Sequence, residues 1–147
     1  MSLLNEAHWS PAKKSSIALY EAAYREEQLS LHSAAKRFLE RFGGIIVKYS
    51  TPDDQLDVLD LCANDAVQGM GDGGLIQLER ELSVHPLCPL GHFDDGTCLL
   101  VQDRLGRVYG ISDELLIRAG ESGEDAVNNI LTGIEMPIIR SNIRRRH

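Results

Sequence analysis

A chain of 147 residues, 43% of them hydrophobic, can bury about two thirds of its unfolded surface, which supplies one core and hardly two. It holds no run of 18 apolar residues and no basic segment leading into an apolar one, so it predicts neither a membrane-spanning helix nor a secretion leader. The formal charge is −7; because Arg140, Arg144, Arg145 and Arg146 follow Met136 without an acid, residues 1–136 carry about −11, eleven bases against 22 acids.

A body so acidic repels nucleic acid and membrane surfaces and attracts a basic partner, although the same surface also keeps an ordinary cytosolic protein in solution. Three cysteines, an odd number, point to a reducing compartment, hence the cytosol, rather than to a disulfide framework.

In chain order, Trp9-Ser10-Pro11 is a cap-plus-proline helix start, and Trp9 suits the edge of a core. Ile17, Tyr20, Ala23 and Tyr24 form an apolar stripe that predicts a first helix over 16–27. Leu31, Ala34, Ala35, Phe38, Leu39 and Phe42 repeat at helical spacing, with His32, Ser33, Lys36, Arg37, Glu40 and Arg41 on the wet side. Gly43 stands where the C-cap requires positive φ, Gly44 adds a second joint, and Ile45 to Tyr49 form a strand. The helices make a hairpin on that sheet. Residues 50–54 are turn formers, 56–60 a partly exposed strand, and Asn64 caps a brief helix to Val67.

The glycine-rich run 69–74 lacks the Lys-Ser/Thr pair and preceding buried strand of a phosphate loop, and is a surface loop. Leu75, Leu78 and Leu82 space as a short helix. A strand over 87–91, a turn over 92–96, a strand over 97–102, a tight turn over 103–106 and a strand over 107–111 form an antiparallel meander. Its middle strand is apolar on both faces, Leu99 and Val101 against Cys98 and Leu100, as a central strand must be. Ser122 with Asp125 opens a helix whose stripe is Ala126, Val127, Ile130 and Leu131, ended by Gly133. Residues 136–139 suit an edge strand and 142–147 a disordered tail.

Few constellations carry chemistry. His85, Cys88, His92 and Cys98 lie within fourteen residues, but no Cys-x-x-Cys anchors them and Cys98 sits inside an apolar run, so no metal site is predicted. No Ser or Cys occupies a nucleophile elbow, and no histidine has an orienting acid close in sequence. No catalytic residue and no cofactor follow.

Trp9-Ser10-Pro11, the run Phe38-Leu39-Glu40-Arg41-Phe42-Gly43-Gly44 entering a strand, Pro89-Leu90-Gly91, Gly106-Arg107-Val108-Tyr109 and Ile130-Leu131-Thr132-Gly133 resemble, in that order, the SUKH superfamily, and most closely its third immunity subfamily. The similarity spans about residues 8–133; Lys13-Lys14 departs from the arginine common after the Trp-Pro motif, and the basic tail has no counterpart. The resemblance implies one α+β domain over 1–136, a mainly antiparallel sheet carrying an N-terminal helix pair and a C-terminal helix, followed by a basic tail over 137–147. It also implies a non-enzymatic immunity protein of a bacterial polymorphic or contact-dependent toxin system, whose partner is a toxin domain, often a nuclease. The superfamily's adaptor and regulatory members are the alternative. A basic toxin would meet the acidic loops 51–57 and 93–96, so Asp53, Asp54, Asp94 and Asp95 are candidate contacts with Phe93 as an aromatic anchor. Asp also suits turns in its own right.

Overall fold

A computed structural model describes residues 17–67, 75–94, 96–112 and 115–141. The helix start at Trp9-Ser10-Pro11, the glycine run 69–74, Asp95 and the tail after Ser141 lie outside the described residues. Helix α1 is Ala18–Glu26 and α2 is Ser33–Phe42. The stripe read from the sequence is the face α2 buries: Ala34, Ala35, Phe38, Leu39 and Phe42. Leu31 falls before this helix, because His32 is its N-cap, the imidazole Nδ1 accepting from Ala35 N at 3.1 Å. The other ring nitrogen lies 2.8 Å from the carbonyl of Gln102, tying the start of α2 to the middle of the sheet.

The glycine pair works differently from expectation. Gly43 has φ −59 and the left-handed residue is Gly44 at φ +80. Gly43 is required by crowding instead: a Cβ there would stand 2.5 Å from Leu39 O and 2.8 Å from the Tyr20 ring. Tyr20 of α1 thus closes over the end of α2, and the chain turns directly into the sheet.

That sheet has seven strands in sequence order, each antiparallel to the next. They are β1 Ile46–Ser50, β2 Leu56–Asp60, β3 Cys88–Phe93, β4 Cys98–Gln102, β5 Val108–Ile111, β6 Leu115–Gly120 and β7 Ile138–Ser141. The strand predicted over 97–102 is β4, the central one. The other helices among the described residues are α3 Ala63–Ala66, α4 Ile76–Leu82 and α5 Gly123–Thr132. Helix α5 is capped as the sequence indicates, Ser122 Oγ accepting from Asp125 N at 3.1 Å.

The alternation along β4 separates two cores. Cys98 and Leu100 join Val47, Leu59, Leu90 and Val108 beneath Tyr20, Tyr24, Phe38, Phe42, Val127 and Ile130, so α1, α2 and α5 share one face. Val101 joins Leu87, Tyr109 and Leu116 under Leu75 and Leu78 of the α4 segment on the other face. The architecture is α+β, and among the described residues a larger helical layer lies on one side and one short helix on the other.

Three differences from the sequence reading bear on the site. Strand β3 runs on through His92 and Phe93, which the sequence placed in a turn, because Phe93 pairs with Cys98 and its ring is buried. Strand β6 went unpredicted. Strand β7 pairs with it and is the edge strand expected over 136–139, but it lies two residues later, at Ile138–Ser141, within the segment named as a tail.

Candidate partner-binding site

The two acidic loops named from the sequence lie at the same end of the sheet, because β1 and β3 run in the same direction and each turns there. The first is a tight β1–β2 turn: Thr51 N donates to Gln55 O at 2.8 Å and Asp54 N to Thr51 O at 2.9 Å. In the second, Thr97 N donates to Asp94 O at 3.0 Å and Thr97 Oγ1 to the same oxygen at 2.6 Å. Asp57 joins them. Its Oδ2 accepts from Tyr49 OH at 2.7 Å and from Asp94 N at 3.0 Å, a bond across 37 residues. Asp53, Asp54 and Asp94 are exposed around this joint.

The joint concentrates negative charge. Burial first, then the hydrogen bond to Asp57 and the charges of Asp57 and Asp94, hold the Tyr49 phenol protonated far above its ordinary range. Helix α5 adds to the field: Gly133, its left-handed C-cap, is so close to the first turn that a Cβ there would stand 2.8 Å from Pro52 Cγ. The last turn of α5 has no basic residue, so the negative end of its dipole adds to the acidic charge at this end of the sheet. Asp54 and Asp94 have φ +62 and +57, a conformation Asp and Asn tolerate, so backbone geometry also favours Asp at both. Asp53 has no such backbone reason.

The five sequence candidates therefore separate. Asp53, Asp54 and Asp94 stand together on the surface, Asp95 lies outside the described residues, and Phe93 points into the core, where it supports the second turn from beneath. Sequence reasoning includes Asp57 in the acidic loop 51–57 but not among the contacts, and its bonds to Tyr49 and Asp94 have no local sequence signal, since its alternation with Leu56 and Val58 marks only a strand.

Other constellations do not assemble. Cys98 faces the larger core, while His92 pairs with Leu99, on the opposite face of the sheet. Exposed His85 pairs with Glu79 at 3.0 Å, and buried Cys88 Sγ donates to Ser30 O at 3.2 Å. Among the described residues no three His, Cys, Asp or Glu side chains are grouped to hold a metal ion. Burial above all raises the thiols of Cys62, Cys88 and Cys98 to about 12, so at neutral pH they are protonated and poor nucleophiles. A cleft of about 340 Å³ at the far end of the sheet has Arg37 and Arg41 on one wall and Glu121 and Glu124 on the other. Arg41 and Glu124 form an ion pair across it at 2.9 Å. It contains no nucleophile–base pair. None of the helices described is long and apolar enough to cross a membrane.

The model of one protein family, described as SUKH-3 immunity protein, matches residues 1–133. No curated protein and no solved structure shows a significant match to the chain.

Proposed function

Because the chain belongs to the SUKH-3 immunity protein family, we propose that it neutralises a cognate toxin by capturing a basic domain of it, a nuclease above all, on the acidic end of its sheet. The observation that carries this reading is the bond from Asp94 N to Asp57, which fixes two acidic turns as one surface. A nuclease is basic because it holds phosphates, and an acidic patch steers such a partner into contact and competes for the same groups. Preformed turns on a rigid sheet lose little freedom on binding. The protein acts in this reading as a stoichiometric cytoplasmic inhibitor in a bacterial polymorphic or contact-dependent toxin system, without catalysis or cofactor.

The test is growth. Expressing the cognate toxin domain should arrest a host cell, and co-expressing this chain should restore colony formation. The variant Asp53→Lys/Asp54→Asn/Asp94→Asn should protect about tenfold less well; asparagine is chosen at the two positive-φ positions so that the turns keep their shape. Arrest that persists beside the folded native chain would contradict the function. Full protection by the variant would move the interface elsewhere.

A further inference from the structure

Helix α4 covers only half of its face of the sheet. The strand residues packed with it come from β4, β5 and β6. On that same face, β1 and β2 present Ile46, Lys48, Leu56, Val58 and Asp60, since their alternate residues Val47, Tyr49 and Leu59 enter the larger core. Leu56 is 85% exposed, Ile46 51% and Val58 36%. The register makes them one strip. Lys48 pairs with Val58 and Ile46 with Asp60, so Ile46 is diagonal to Val58, and Leu56 is two residues along the same strand from Val58. The strip ends at the turn that carries Asp53 and Asp54.

We propose that this strip is the apolar centre of the toxin-binding surface, with the acidic turns as its rim; the inference rests on the function proposed above. Protein interfaces have this anatomy, an apolar middle that supplies lifetime and a charged border that supplies encounter rate and register. The charges on the hairpin select the occupant. Residues 46–60 hold four acids, Asp53, Asp54, Asp57 and Asp60, against the single base Lys48. The partner is a domain whose apolar patch is bordered by Lys and Arg. A second copy of this chain would bring the same acids against one another. The surface also ends in strand β1, which among the described residues is an edge of the sheet, the kind of element that can take a partner strand.

Binding kinetics with the purified cognate toxin domain separate centre from rim. The variant Ile46→Ser/Leu56→Ser, altered only at exposed positions, should fold with an unchanged melting temperature. It should dissociate at least about tenfold faster, while its association rate stays within about twofold of the native value. The variant Asp53→Lys/Asp54→Asn should do the reverse, slowing association and leaving dissociation nearly constant. If the apolar variant dissociates like the native chain while the charge variant associates slowly, the acidic end stands as the toxin site and the apolar centre is wrong. If the native chain does not bind the domain, the function itself is wrong and this inference falls with it.

Discussion

Replacing Asp103 with Ala is expected to remove about 3–5 kcal/mol of stability, from a total of about 5–15 kcal/mol typical of domains. Asp103 is fully buried at the β4–β5 turn. One carboxylate oxygen accepts from Leu105 N at 2.9 Å and Arg107 N at 3.0 Å, and the other from Arg107 Nε at 2.8 Å and Tyr109 OH at 2.9 Å. Alanine would strand four donors, two of them backbone groups in a tight turn and one the hydroxyl of the buried Tyr109 beneath α4. Asp103→Asn should fall between the two, since its carbonyl oxygen can still accept two bonds but its amide cannot pair with Arg107. Urea denaturation checks the order native, Asn, Ala. A midpoint unmoved by the alanine would mean that the carboxylate does not hold the turn.

Phe38→Ala should cost a similar ~3–5 kcal/mol, by a different route. The ring is buried, stacks on Phe42 with centroids 4.9 Å apart, and lies against the bare Cα of Gly123 so closely that a Cβ there would be 2.2 Å from Phe38 Cδ1. Truncation leaves a cavity between α2 and the first turn of α5, and the capped start of α5 resists collapsing into it. The same geometry yields a cycle. Gly123→Ala alone should destabilise by about 1–3 kcal/mol through overpacking, but beside Phe38→Ala its methyl enters the vacated space, so the double variant should lose less than the sum of the singles. Strict additivity would place the ring elsewhere.

These contacts mark what is legible in the sequence. The stripe of α2, the cap of α5, the two-faced β4 and the α+β class rest on local periodicity and on pairing across short turns, which a linear reading captures. Strand β6 is different. Leu115, Leu116 and Ile117 are an apolar run of the right kind, but Arg118 and Gly120 blur the alternation, and its second partner β7 follows only after an intervening helix. Phe93 reads as turn because it precedes two aspartates; only its pairing with Cys98 takes it inward. At Gly43, spacing identifies a glycine but not its cause, which is the Tyr20 ring arriving from another helix. For the candidate site, composition picks out both acidic turns, while their union through Asp57 depends on β2 lying beside β3, a fact of topology.

If the acidic end is what captures the toxin, the encounter must be electrostatic, and its rate must depend on salt. The decisive measurement is the association rate constant between the native chain and its cognate toxin domain, followed by stopped flow from low to high ionic strength. Steering by the joined turns predicts a fall of at least about tenfold across that range, and a much shallower fall for Asp53→Lys/Asp54→Asn/Asp94→Asn. An association rate that is the same at every salt concentration, for native chain and variant alike, would contradict the account.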